Sequence, residues 1–188
     1  VLSFKKQKDE ELIKVFDIID RDSAFTFTTI HMIGSHWFYD SRYTAKHKKF
    51  TPTAKSKFLK SSTKDELINS YDNTLIYLDW FLNSIIEKLK PSKTPTLLIY
   101  ISDHGEILGE NNQWLHAQNN KASTNPAMLI WYSDSFKREF PVKTEALLEN
   151  KNKTNSTDLI FNSILHLLQV EGFPYKASNS IFYSNPKQ

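Results

Sequence analysis

The 188-residue chain has no cysteine, so it can build neither a disulfide framework nor a thiolate metal site. That absence leaves an oxidising compartment such as the periplasm open; it removes only the usual sign of one. Long apolar runs are missing too. The stretches that come nearest, such as Thr96 to Ser102, are far too short to cross a bilayer. No signal-peptide pattern opens the chain, no internal repeat recurs along it, and no tract is of low complexity. Nor is there an excess of charge of one sign: 24 basic and 21 acidic residues give a net charge of +3, which does not call for nucleic acid as a partner. The first residue is Val1 rather than Met, from which we expect a segment excised from something longer.

What is present suits a folded protein. A hydrophobic fraction of 39% and an aromatic fraction of 13% can supply a core, and the length fits one domain or a large piece of one. Lys46, Lys48 and Lys49 form a short basic cluster. It reads either as a solvated loop or as a contact for anionic lipid headgroups.

Helical spacing of Leu12, Ile13, Val15, Phe16 and Ile19 predicts a helix over Asp9 to Asp20. Ala24 to Ile33 is rich in β-branched and aromatic residues with partial alternation, and is predicted to be a strand. A polar, Lys-rich connection follows to about Ser62; loops of that length are often functional or mobile. The clearest helix is predicted over Asp65 to Lys90. Thr63 and Glu66 have capping-box spacing, Leu67, Tyr71, Leu75, Leu78, Leu82, Ile85 and Leu89 form an apolar stripe, and Pro91 stops it. Thr96 to Ser102 and Ala127 to Tyr132 are near-continuous apolar runs, as in strands of a parallel sheet buried on both faces. Helices are predicted over Val142 to Asn150 and Thr157 to Val170, the second capped by Ser156 or Thr157 and ended by Gly172. This order predicts an α/β sheet with helices on its faces.

In open α/β sheets ligands bind beyond the carboxyl ends of strands. Two predicted strands end in chemically able residues: one leads into Gly34-Ser35-His36, the other into Asp103-His104-Gly105-Glu106. Adjacent strand residues point to opposite faces, so Asp103 and His104 could share a ligand only after a turn, which Gly105 permits. A carboxylate with an imidazole suits zinc or manganese better than calcium. The residues by themselves also allow blander roles. Asp103 and His104 would then be a turn with a satisfied polar pair, His36 a loop cap and His116 a surface histidine. His31 is expected to be structural, His47 a loop residue and His166 a helix residue.

Taken together, three strings narrow the choice. HMIGSH at His31 to His36, SYDNTLIYLDWFL at Ser70 to Leu82 and ISDHGEILGENNQWLHA at Ile101 to Ala117 occur in an order and spacing that resembles the phosphoethanolamine transferases. Those enzymes modify lipid A and lipopolysaccharide core and belong to the alkaline-phosphatase-like sulfatase superfamily. The resemblance runs from about Ile30 to Leu168. It implies an alkaline-phosphatase-like α/β/α sandwich, of which residues 1–188 are the C-terminal portion. It implies that Asp103 and His104 bind a catalytic zinc, and that His36 and His116 line the substrate side, where some members hold a second zinc. Glu106 would orient a ligand rather than touch the metal.

The resemblance further implies a ping-pong reaction. A zinc-activated threonine takes phosphoethanolamine from phosphatidylethanolamine, and lipid A or a core oligosaccharide then receives it. The setting would be the periplasmic face of the Gram-negative inner membrane, with anchoring through segments that precede this chain. Departures from the family lie at Trp37-Phe38, where Gly-Pro is common, and at Ala117, where Gly is common; both bear on the acceptor. The nucleophilic threonine lies upstream in the family, and Thr26, Thr28 and Thr29 are in the wrong place to replace it. The fragment alone is therefore expected to be inactive, to expose a sheet edge and apolar surface, and to pair with the missing half-domain. Two rivals remain at this point: a sulfatase- or phosphatase-type hydrolase, and a non-catalytic binding fragment.

Overall fold

The computed structural model describes residues 7–19 and 25–184. Asp20 and Ala24, where a predicted helix ends and a predicted strand begins, lie outside them. The chain divides into two compact units. One comprises residues up to Ser92 with Leu98–Trp131, the other Lys93–Leu97 with Tyr132 onward.

The first unit opens with a 3-10 turn, Asp9–Lys14, that continues into α1 (Val15–Ile18). Its centre is α2 (Lys64–Leu89), one residue ahead of the predicted bounds at each end and on the expected Thr63 cap. Thr63 Oγ1 accepts from the Glu66 N–H at 3.2 Å, and Glu66 Oε2 accepts from the Thr63 N–H at 2.8 Å. No Gly or Pro interrupts the next 26 residues, and Pro91 follows the cap residue Lys90.

The buried face of α2 divides by chemistry. Toward its C-terminus Phe81, Leu82 and Ile85 pack with Phe16 of α1 to form the core, flanked by Leu12, Ile13, Ile30, Met32, Leu98 and Tyr100. Removing side chains of this size from water stabilises by ~1.5–3 kcal/mol each. Toward its N-terminus the buried residues include Ser70, Asn73 and Thr74, while Leu75, expected on the apolar stripe, is 42% exposed. Ser70, Asn73, Tyr77 and Trp80 fall three or four apart and so share one side of the helix. The Lys-rich connection lies along that side. Asn73 Oδ1 accepts from the N–H groups of Lys49 (2.8 Å) and Phe50 (2.9 Å), and its Nδ2 donates to Phe50 O (2.9 Å). Ser70 Oγ accepts from Ala54 N–H at 2.9 Å, and Asn69 Nδ2 donates to Pro52 O at 2.9 Å. Hydrophobic periodicity cannot see this face, because its side chains are buried to satisfy another segment's backbone.

Four strands follow: β1 (Leu97–Ile101), β2 (Ile107–Leu108), β3 (Trp114–Leu115) and β4 (Met128–Tyr132). β1 pairs with β4, and β2 with β3. Ser102 N–H donates to Ala127 O and Ser133 N–H to Thr96 O, both at 2.9 Å, so the end of one strand faces the start of the other. The pair is antiparallel, not parallel as expected. Every residue of β1 is half-buried and β4 begins exposed at Met128 and Leu129, so neither strand is covered on both faces. Residues 25–33 form no strand. Alternation marks which side chains could share a face, but it supplies no neighbouring strand to complete a ladder.

The second unit is helical. Ser133 Oγ accepts from Phe136 N–H (3.2 Å) and caps α3 (Asp134–Glu139), a helix the sequence reading missed. Pro141 opens α4 (Pro141–Asn150), and α5 (Leu159–Leu168) follows. Asp158 occupies the cap position of α5 without a side-chain cap bond, and Gln169 (φ 52°) ends it in the left-handed region, three residues before the expected Gly172. Phe136, Ala146, Leu147, Ile181 and Phe182 are buried, and Asn150 Nδ2 binds the carbonyls of Ile181 (2.9 Å) and Tyr183 (3.0 Å). His166 lies on α5, as expected, with Nδ1 3.0 Å from Ser180 Oγ. No described helix is long and apolar enough to cross a membrane.

Candidate functional site

The polypeptide leaves β1 at Ser102, whose Oγ donates to His104 O at 2.6 Å. Asp103 and His104 follow, then Gly105. The glycine is needed for its size rather than for a left-handed turn. A Cβ there would lie 2.0 Å from Ala122 O, and the Gly105 N–H donates to Ser123 O at 2.8 Å. This close approach docks the segment carrying Asp103, His104 and Glu106 against residues 122–123.

The β2–β3 hairpin then returns the chain. Its register sets Ile107 opposite Leu115 and Leu108 opposite Trp114, so one step back Glu106 faces His116. The tight reversal uses Gly109 (φ 107°), where a side chain would crowd Trp114, and Asn111 and Asn112 at positive φ. His116 is thus delivered ten residues on from Glu106 by local antiparallel geometry. Its Nδ1 lies 3.2 Å from Glu106 Oε2, and its ring stacks on that of His104 at 3.9 Å and 26°.

His36 arrives by a separate route. Gly34 (φ 60°) turns the chain, and the buried Asp9 carboxylate accepts from the N–H groups of Ile33 and Gly34, each at 2.9 Å. Thr74 Oγ1 donates to Ser35 Oγ at 2.6 Å, tying the turn to α2. Arg42 then clamps the main chain, with Nε to His36 O at 2.8 Å and Nη2 to Trp37 O at 2.9 Å. The His36 ring sits 6.4 Å from that of His116.

The three imidazoles share one orientation logic. His36 Nδ1 is 2.5 Å from Trp37 O, His104 Nδ1 is 2.7 Å from Gly105 O, and His116 Nδ1 faces the Glu106 carboxylate. Carbonyl and carboxylate oxygens only accept, so each Nδ1 carries the proton. The three Nε2 lone pairs are left for other partners. Asp103 Oδ1 lies 3.8 Å from His104 Nε2, on a side chain that is 89% exposed.

Glu106 differs sharply, with a side chain only 7% exposed. Its Oε1 accepts from the Tyr39 hydroxyl and its Oε2 is engaged by His116. Tyr39 is itself almost wholly buried, and burial first, then the bond to Glu106, drives its phenol far above the ordinary tyrosine range. It therefore stays a donor. Tyr71, edge-on to Tyr39 at 5.4 Å, is pushed up to about 12, chiefly by burial.

Metal-ligating atoms of His104, Glu106 and His116 lie within 4.8 Å of one another. Both Glu106 oxygens already have side-chain partners, whereas Asp103 Oδ1 accepts only from the His104 N–H at 3.0 Å and its side chain is largely exposed. The structure thus brings His36, His104, Glu106 and His116 together, with Asp103 at the exposed edge. Sequence reasoning missed Asp9, Tyr39 and Arg42, which carry no motif and act only through long-range contacts. His31 is exposed rather than structural. His47 lies in a 3-10 turn (Ala45–His47) of the connection, a loop residue as expected, and is buried between Tyr77 and Trp80 (ring centroids 5.0 and 4.9 Å). Thr28 and Thr29 lie exposed in the segment before His31.

A profile of the family described as Sulfatase matches residues 2–170. Phosphoethanolamine transferase EptA of Escherichia coli K12 is 37% identical over 160 residues, which are 81% of this chain and 29% of that protein. Kdo(2)-lipid A phosphoethanolamine 7''-transferase of Salmonella typhimurium is 32% identical over 110 residues, 57% of this chain and 19% of that protein. The crystal structure of the C-terminal periplasmic domain of phosphoethanolamine transferase EptC from Campylobacter jejuni superposes with a TM-score of 0.83 at 30% identity. It covers 98% of this chain and 62% of that one. The fold is accordingly the alkaline-phosphatase-like α/β fold. The chain spans less than a third of the length of the EptA relative.

Proposed function

Because the chain belongs to the sulfatase family, we propose that the protein it forms part of transfers phosphoethanolamine from phosphatidylethanolamine to lipid A or lipopolysaccharide core. Residues 1–188 would supply the C-terminal portion of its catalytic domain, working at the periplasmic face of the inner membrane. The phosphoryl group would be held in transit on a threonine outside these residues, and the fragment alone would be inactive. Relatives named as phosphoethanolamine transferases support the reaction class. The observation that carries the proposal to this chain's own residues is the trio of imidazoles at His36, His104 and His116, each presenting Nε2.

Asp103 and His104 fit a zinc ion. Two ligands at 2.0–2.1 Å from a tetrahedral centre stand ~3.3 Å apart, and Asp103 Oδ1 and His104 Nε2 reach 3.8 Å with the tautomer already set. His36 and His116 would hold a second ion where one binds. Zinc at these positions would supply Lewis-acid stabilisation of phosphoryl oxygens and ease deprotonation of the nucleophilic hydroxyl.

The chain's other groups do proton work. Where no second ion is bound, His116 Nε2 takes the proton of an incoming acceptor, and the imidazolium so formed is held through Nδ1 by Glu106. Tyr39, donating to the other Glu106 oxygen, fixes the carboxylate in that position. His36, 6.4 Å from His116, can donate to a phosphoryl oxygen or the leaving group once its Nε2 has taken up a proton.

The test uses the whole protein in membranes with labelled phosphatidylethanolamine, following diacylglycerol by mass spectrometry with and without a zinc chelator. Chelator-sensitive release is expected, with the label moving to lipid A. Release of free phosphoethanolamine with no transfer would replace the proposal with a hydrolase. No release from folded, zinc-loaded protein would overturn it.

A further inference from the structure

From Ser41 to Lys64 the chain contains no acidic residue but carries Arg42, Lys46, Lys48, Lys49, Lys55, Lys57, Lys60 and Lys64. These eight cations leave 16 basic against 21 acidic residues elsewhere, so the small net charge conceals a strongly polarised chain. The segment is held in shape. Lys46 Nζ sits 4.2 Å over the Trp80 ring, Asn73 binds Lys49 and Phe50, and Ser70 binds Ala54. The anchors descend α2 from Trp80 to Ser70, about 15 Å of helix. Lower down, the Trp37 Nε1–H donates to Lys57 O at 3.1 Å.

Three of the cations are engaged: Arg42 on main-chain carbonyls, Lys46 on Trp80 and Lys48 with Asp40 at 3.2 Å. Among the described residues none of Lys49, Lys55, Lys57 and Lys60 forms an ion pair, and all four are exposed. Between them stand two exposed phenylalanines, Phe50 at 44% and Phe58 at 79%. In sequence the strip is flanked by Asp40, Asp65 and Glu66, and in space Glu10 acts on His47.

We propose that this ordered strip docks the protein on a bilayer surface carrying anionic headgroups. The lysines would meet the phosphates, and Phe50 and Phe58 would enter the acyl boundary. Pure hydrocarbon side chains between unpaired lysines suit that boundary, where burial of apolar area adds to electrostatic attraction. The binding does not depend on the reaction proposed above. Only its consequence does: Trp37 follows His36 directly, so docking would turn the candidate site toward lipid substrates.

The 188-residue chain is tested by flotation with phosphatidylcholine vesicles containing phosphatidylglycerol, against vesicles of phosphatidylcholine alone. Binding to the anionic vesicles only is expected at about 0.1 M salt, and its loss at about 0.5 M. Each lysine removed should weaken partitioning about fivefold, so K55E/K57E/K60E should lower it by at least ~100-fold. Phe58→Ser should weaken binding severalfold while leaving the slope against salt unchanged. An unaltered circular dichroism spectrum and thermal midpoint would show that both variants fold. Equal binding to neutral vesicles, retention by the folded charge-reversal variant, or binding to a DNA oligonucleotide without vesicle binding would each overturn the proposal.

Discussion

Asp103 and Glu106 stand three residues apart in one motif and live in opposite environments. The Asp103 side chain is 89% exposed, while that of Glu106 is 7% exposed and bonded at both oxygens. The same residue chemistry therefore serves different ends. An exposed carboxylate that accepts only one backbone N–H has room for a further ligand. A buried carboxylate between Tyr39 and His116 is committed to holding other groups still. The distinction comes from the close packing at Gly105 and the β2–β3 register, which turn one side chain out and the other in.

The contrast can be broken most severely at its outward side. In the whole protein His104→Ala should cost ~10²–10³-fold in transfer and remove tight zinc binding, read by diacylglycerol release and metal analysis. Activity above about a tenth of wild type would remove His104 from the reaction centre. Glu106→Ala tests the inward side. It strips the buried Tyr39 hydroxyl of its acceptor, and should destabilise by ~1–3 kcal/mol in urea unfolding of the metal-free chain. Asp103→Ala should leave that curve in place while weakening zinc, because its carboxylate touches solvent. If the two substitutions shift unfolding equally, the division into a holding and a binding carboxylate fails.

Gly105→Ala addresses the cause. A methyl group 2.0 Å from Ala122 O must force the loop apart, so a loss of ~1–3 kcal/mol is expected, with zinc affinity falling alongside. An unchanged thermal midpoint would mean that the approach to Ala122 does not hold the site. The smallest expected effect is a pH dependence away from the site. Burial, and next the charges of Lys46 and Lys143 respectively, hold the His47 and His166 imidazoles below the ordinary histidine range. The unfolded chain then binds protons more readily, so stability is complete above about pH 6.5 and declines as pH falls through that value. Thermal midpoints across that range, flattened in His47→Gln, would check it.

Sequence reading reached the site unevenly. Asp103, His104, Glu106 and His116 were legible because one contiguous string carries them. Their separate roles were not, since composition is silent on which carboxylate is buried. Asp9, Tyr39 and Arg42 were invisible: each reaches its partner through a contact that no local spacing encodes. The Lys-rich connection read as functional or mobile because of its length. It is ordered because Asn73 and Ser70 complete its backbone hydrogen bonds.

The sequence by itself determined the long helix with its capping box, the apolar runs of β1 and β4, and the family. These rest on local chemistry: a cap that bonds within four residues, a run that avoids water, a string of unusual residues in fixed order. Only the tertiary structure decided that β1 and β4 run antiparallel, that residues 25–33 form no strand, and that Leu75 faces out while Asn73 faces in. Strand pairing and the burial of a polar side chain depend on which distant backbone groups arrive to bond with them, and that choice is made only when the chain has folded.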